Sequence, residues 1–336
     1  MKVDRGVPTS AHRARRCDPE RRRPSLRSGR HLVRSRSLSR AFAFLFALLV
    51  ASAASAQPVV EETIDLEFDR PESWAMKFFA GVTLPMGSSL ERPFPPGAIV
   101  LEFEAITIPT LSLRQRTVGF DGVKEEDLNK LPLLGRGRIV VGLPAGFHAV
   151  AGWVPPLEIS GVEGNLLSAA VGRAVPLGRR WDLSLRAFGQ DGVIEGAFTC
   201  WDKVLEFPPA TPGNPFACEE LSRDEYALTI LGGEVQVGRS TERFGGPRVH
   251  AGAAAASMDA EFQVSALRSG FLDRTLLRSD GTILTFNAGA RWLLASGVTV
   301  GGEVVYSPLS VDRNDGRGSI NDPLVNVHFI VGFRAR

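Results

Sequence analysis

The chain has 336 residues, enough for one large β-domain or two ordinary domains. Its formal charge of +2 averages two unlike parts: residues 1–40 hold 13 Lys+Arg and three acids, and the remainder holds 26 bases and 34 acids. The basic head lacks interleaved aromatics, which argues against a nucleic-acid arm. No charge-free apolar helix follows residue 56, which argues against a helical membrane protein.

Arg34, Arg36 and Arg40 lead into an apolar run, Ala41–Ala51, and then Ala54-Ser55-Ala56 precedes Gln57. A basic start, a short apolar run and a small-residue cleavage site predict a secretory signal peptide over 33–56. The run is too short to cross a bilayer as a helix, which takes about 20 apolar residues. Residues 1–32 are expected to be a non-native extension, with translation starting near Val33. Cys17 falls in that extension, so the exported chain keeps Cys200 and Cys218. An even pair in an oxidising compartment is expected to bridge, stapling the Pro-rich loop WDKVLEFPPATPGNPFA.

Residues 57–97 read as an N-terminal plug or periplasmic segment. Asp69-Arg70-Pro71-Glu72-Ser73 ahead of WAMKFF predicts a helix with proline in its first turn, placing Trp74 and Phe78 on one face. The alternative is two further strands, 58–67 and 75–84.

From residue 98 onward, short segments alternate apolar and polar residues with period two, the signature of strands with one apolar face. They cover 98–107, 136–143, 147–154, 164–176, 181–190, 225–238, 248–257, 282–294, 298–308 and 324–336. In the last, Val325, Val327, Phe329, Val331, Phe333 and Ala335 share a face. In 225–238 Tyr226, Leu228 and Ile230 are assigned to the apolar face against Glu225 and Thr229. Arg173, in phase with Leu167 and Val171, is expected to snorkel. Tight connections (144–146, 178–180, 243–246, 296–297) alternate with longer ones (108–135, 155–163, 195–223, 259–280, 310–322). Short inner turns and long outer loops in strict alternation are the pattern of a transmembrane barrel. Aromatic residues near segment ends (Trp153, Trp181, Tyr226, Trp292, Tyr306, Phe333) fit interfacial girdles. A soluble β-sandwich also alternates, but these segments approach the 9–11 residues a tilted membrane strand needs. The expected fold is all-β: a transmembrane antiparallel up-and-down barrel over 98–336 with ten strands, or twelve if the N-terminal segment adds two.

With its signal peptide and alternating strands, the chain resembles bacterial outer-membrane β-barrel proteins as a class. The resemblance implies residence in the cell outer membrane, with outer-membrane lipid, periplasmic chaperones and the barrel-insertion machinery as partners and no nucleic acid. Such barrels usually end on an aromatic residue, whereas this chain ends Phe333-Arg334-Ala335-Arg336. The aromatic segment ahead of the barrel resembles the hatch of fatty-acid-transporter barrels, which implies a small apolar ligand.

The inward phase carries Glu102, Glu104, Arg138, His148, Asp182, Arg186, Glu225, His250, Asn287, Arg291, Glu303, His328 and Arg334. A ten-strand barrel has little room beyond its own side chains, so a rigidifying salt-bridge network is expected ahead of an ion path. A rim hydrolase would rest on His328 with Glu303 and Ser307 on the adjoining strand. No Gly-rich phosphate loop, CxxC or HExxH occurs. DRNDGRGSIND at 312–322 fails as a calcium loop because Pro323 stands where a glutamate is required. No metal, cofactor or catalytic residue is expected. The leading functional expectation is passive passage or binding of a small apolar molecule, ahead of a closed structural or surface-interaction barrel.

Overall fold

The computed structural model describes residues 58–86, 95–241, 246–294 and 297–335. The expected extension (1–32) and signal peptide (33–56) lie outside the described residues. The described residues begin with strand β1 (Val59–Asp65) and helix α1 (Pro71–Thr83). The wall follows as β2 (Ile99–Thr107), β3 (Leu133–Gly142), β4 (Phe147–Val154), β5 (Val162–Leu177) and β6 (Trp181–Gly196). It continues as β7 (Asp224–Ser240), β8 (Arg248–Gln263), β9 (Phe271–Leu293), β10 (Val298–Ser307) and β11 (Leu324–Arg334). Each wall strand pairs antiparallel with the next, and β11 closes the ring on β2 from His328↔Ile106 to Arg334↔Val100. This is a ten-stranded barrel without an open wall edge.

Alternation dictates which face is wet. Leu101, Phe103, Leu185, Leu231, Phe286, Val304 and Phe329 are exposed on the outer surface, while their sequence neighbours point inward. A coat of this kind far exceeds the apolar patches water tolerates, and lipid covers it in a barrel. Trp181, Trp292 and Phe333 ring the end that carries the tight turns and the C-terminus, here called the inner end. Trp153 and Tyr306 lie on the outward face at the other end. Arg173 lies over the Phe147 ring at 5.2 Å, holding its charge at the inner rim.

The lumen is divided along its length. Its inner half is ionic, and its outer half is apolar because α1 fills it. Trp74 and Phe78 stack with centroids 5.9 Å apart, both fully buried, on the face the proline-led helix was expected to present. Phe79 packs on Phe198 and Tyr226 at 5.4 and 5.2 Å. A Cβ at Gly81 would stand 2.8 Å from Leu324 Cδ2, so the missing side chain lets the helix close on β11. Of the alternative strands, 75–84 is taken up by α1, which runs to Thr83. The other forms as β1 but stays outside the ring, pairing parallel with β9 from Val59↔Leu272 to Asp65↔Arg278.

Four sequence expectations are corrected. Tyr226 is not in a girdle: it points inward, 0% exposed, and its hydroxyl donates to the Met76 carbonyl at 2.8 Å. Glu225, its neighbour, therefore points outward and is exposed, away from the lumen network. The cause is a switch of the apolar face along β7, from Tyr226, Leu228 and Ile230 inside to Leu231, Val235 and Val237 outside. Arg334 keeps the inward phase but lies exposed at the inner rim rather than inside the lumen. Residues 259–280 are not a long loop. β8 and β9 run for 16 and 23 residues, longer than the roughly 9–11 a tilted membrane strand needs, and the short Ala266–Arg268 strand meets Phe271 across Ser269 and Gly270. Both turn residues have positive φ, 50° and 76°, as a two-residue hairpin turn requires.

Candidate functional site

Two places inside the ring gather polar chemistry. The first is the junction between α1 and the inner lumen. A helix ends with unsatisfied carbonyls and a partial negative charge. No basic residue occupies the last turn of α1. The wall supplies the cations instead. Arg136 donates to the Thr83 carbonyl, Arg186 to the Pro85 carbonyl, and Arg138 to the Met86 carbonyl at 3.0 Å. Gln190 donates to Thr83 Oγ1 at 3.0 Å.

The same arginines are held by wall carboxylates. Glu102 takes Arg138 at 2.8 Å and Arg291 at 2.6 Å. Glu104 takes Arg136 at 3.1 Å and His328 Nδ1 at 2.9 Å. Glu234 pairs with Arg186 at 3.0 Å and accepts from Asn287 at 3.1 Å. Glu303 meets His250 at 2.7 Å, and Asp182 binds Arg248. His148 is buried on the same face. The structure thus brings Glu102, Glu104, Arg138, Asp182, Arg186, His250, Asn287, Arg291, Glu303 and His328 into one salt-bridged wall. Arg136, Gln190, Glu234 and Arg248 belong to it and were missed. Arg136 was legible, two residues from Arg138 on the same phase. Glu234 was hidden by the phase assigned to β7.

His328 Nε2 faces Asn326 at 3.0 Å, and Ser307 Oγ faces Thr285 Oγ1 at 3.0 Å. The serine and histidine of the rim-hydrolase reading are therefore each engaged with another partner.

The second place is the outer mouth. Here α1, β1, the loop after β2, Phe198 and Thr199 beyond β6, and the β8–β9 hairpin enclose a cavity of about 450 Å³. Its walls are largely aromatic and aliphatic: Ile64, Phe79, Phe120, Phe198, Phe262, Val264 and Leu277. Charged residues also line it, Arg70, Glu72, Asp121, Glu126, Arg268 and Asp273 among them. Arg268 pairs with Asp273 at 2.6 Å, and Glu72 accepts from the Asp121 backbone N–H at 2.5 Å. Burial raises the Glu126 carboxyl to about 8, opposed by Lys124, whose ammonium donates to it at 2.7 Å. The carboxylates of Asp224 and Glu72 add to the rise.

Loops lock the helix from above. Trp74 Nε1 donates to the Asp322 carbonyl at 3.0 Å and Lys77 Nζ to the Ser310 carbonyl at 2.7 Å. Gln115 and Arg313 both reach the Asp322 carboxylate, at 2.9 and 3.0 Å. Cys200 and Cys218 are bridged, Cα atoms 5.7 Å apart, and the stapled loop is tied to the β8–β9 hairpin by Glu219 N–H to Leu267 O at 3.0 Å.

No protein-family model matches the chain, and no curated protein matches it. Solved structures show a likeness of fold. The translocator domain of autotransporter NalP from Neisseria meningitidis is 11% identical over 79% of this chain and 98% of that chain, with a TM-score of 0.40. The attachment invasion locus protein Ail of Yersinia pestis is 9% identical over 71% and 98%, TM-score 0.25. The copper transporter OprC is 10% identical over 73% and 45%, TM-score 0.27.

Proposed function

We propose that this outer-membrane β-barrel binds a small apolar molecule in the cavity at its outer mouth, and that passage through the lumen requires α1 to leave its seat. The observation that carries the reading is the cavity itself. About 450 Å³ of space with a largely apolar wall and charged residues converging on it is the size and chemistry of a small-molecule site. Below it, α1 and the salt-bridged wall stand in the lumen, and the docked helix is what a bound molecule would have to displace to move inward. The reading needs no cofactor. Its other partners are the surrounding lipid and the periplasmic chaperones and insertion machinery that every exported barrel uses.

The test is binding of the apolar fluorophore N-phenyl-1-naphthylamine to purified protein in nanodiscs, read as fluorescence enhancement and displaced by uncharged long-chain alcohols. Phe198→Glu, which puts a charge against the cavity wall, should abolish binding while leaving the barrel folded. Equal enhancement by Phe198→Glu and the native protein would refute the site. Single-channel recording separates binding from passage: the docked state should be silent.

A further inference from the structure

The path of the chain between residues 58 and 98 has a direction. Pro58 accepts from the Leu272 N–H at 2.9 Å, beside the tip of the β8–β9 hairpin, as far from the tight turns as the sheet extends. β1 then runs parallel to β9 toward the bilayer, from the level of Leu272 to that of Arg278. The chain turns into α1, whose first turn lies near Asp121 at the mouth and whose end lies on Arg136, Arg138 and Arg186. The next described residues, from Pro95, lie at the inner end, where Gly97 N–H donates to the Gly142 carbonyl at 2.9 Å beside the 144–146 turn, and β2 begins. The described parts of the segment therefore lie in order from the outer end, through the lumen, to the inner end.

An even-stranded barrel whose first and last strands both have their free ends inside cannot put preceding residues outside by any route around its wall. They reach the outer end only through the ring. We infer that the barrel carries β1 and α1 outward through its own lumen and displays β1 on the cell surface. Export comes first, and docking of α1 then closes the lumen behind it.

Each end of the threaded segment has its own anchor. Outside, Glu61 and Asp65 stand opposite Arg274 and Arg278 in the parallel register, and Glu61 reaches Arg274 at 3.7 Å. Inside, the three arginines grip the helix end. β1 itself carries Glu61, Glu62 and Asp65 and no base and is exposed along most of its length, which suits a strand that stays hydrated outside. β1 is also part of the cavity wall through Val60, Glu62 and Ile64, so the displayed strand completes the mouth.

Cysteine accessibility in intact cells tests this. Glu61→Cys and, as a second variant that leaves the ion pair intact, Val59→Cys report on β1. Asn314→Cys, in the loop before β11, reports on the outer end, and Ala145→Cys, in a tight turn, on the inner end. Each variant is checked for the gel-mobility shift of a folded barrel. With a membrane-impermeant maleimide, the β1 and Asn314→Cys variants should label on intact cells with no further gain on permeabilisation. Ala145→Cys should gain its label only on permeabilisation. Protection of both folded β1 variants on intact cells, with Asn314→Cys labelled, would overturn the inference. So would labelling of Ala145→Cys on intact cells with Asn314→Cys protected, because β1 would then face the periplasm.

Discussion

Arg138 donates to the Met86 carbonyl at 3.0 Å and to the Glu102 carboxylate at 2.8 Å, so one guanidinium joins the helix end to the barrel wall. Guanidinium suits this place because its planar fork serves two acceptors at once. Arg138→Met should cost about 3 kcal/mol, at the low end for breaking one member of a buried ionic network, since Glu102 keeps Arg291 at 2.6 Å. It should also loosen α1. The measurements are urea unfolding from lipid vesicles and planar-bilayer recording, where bursts of conductance should replace a silent baseline. Arg138→Lys should fall between the two, keeping the charge and losing the second bond. A silent, fully stable Arg138→Met barrel would show that the helix is held by its apolar face alone.

The upper third of β7 should stand clear of hydrocarbon. Val235→Arg, on the outward face within the lipid band, should cost about 2–4 kcal/mol if it lies near the midplane. Glu225→Arg, on the same face ten residues nearer the outer end, should stay within about 0.5 kcal/mol, as surface changes do. Folding free energy into vesicles measures both. Comparable losses would mean that the strand is submerged to its tip and that the face switch at Leu231 does not mark the membrane boundary.

That switch also explains what sequence reasoning could see. Wherever a strand borders lipid outside and ions inside, as in β2, the lower part of β9, and β11, alternation identified the correct face for each residue. β7 misled it because period two says which residues share a face and not which face is wet. Once a strand leaves the bilayer beside an apolar helix, polarity inverts while the period continues. Tyr226 and Glu225 were misassigned for this one reason. The hairpin over 259–280 was read as a loop because its outer face carries Asp259, Glu261, Arg278 and Asp280 with no apolar stripe against them. The helix beginning at Pro71 was legible from its own start signal. That it would seat on wall arginines was not, because the contact joins residues about 50 to 100 positions apart.

Stability of the mouth should fall as pH rises. Glu126 has a folded value near 8 against an ordinary 4.5, so its neutral form is the one the fold favours. The stability it contributes is fully present below about 4.5 and is lost as pH climbs through about 8. Unfolding midpoints of the native protein should therefore decline between those values. Glu126→Gln, a permanent stand-in for the neutral acid, should remove that decline and exceed the native protein at pH 9. A parallel decline in the variant would assign the effect to another group.

The bridge between Cys200 and Cys218 should matter to the mouth and not to the ring. It closes a loop of sequence separation 18, for which the chain-entropy model gives about 3 kcal/mol. That loop is tied inward as well: Asn214 accepts from the Cys218 N–H and donates to its carbonyl, both at 2.8 Å. Ser222 and Asp224 hold the strand on the other side, with the Thr199 N–H donating to Asp224 at 2.7 Å. Phe198 and Thr199, next to Cys200, line the cavity, so freedom in the loop becomes freedom in the cavity wall. The double substitution Cys200→Ser, Cys218→Ser should therefore keep the gel-mobility shift of the folded barrel, since no ring strand contains either residue. Amide exchange over 198–218 should accelerate by the factor that about 3 kcal/mol represents, roughly a hundredfold. Affinity for the apolar fluorophore should fall in step, because a wall that fluctuates holds its ligand less well. Unchanged exchange would mean that Asn214 and Asp224 order the loop without the covalent link. Fast exchange with unchanged affinity would separate the loop from the ligand, and would leave the cavity to α1, β1 and the β8–β9 hairpin.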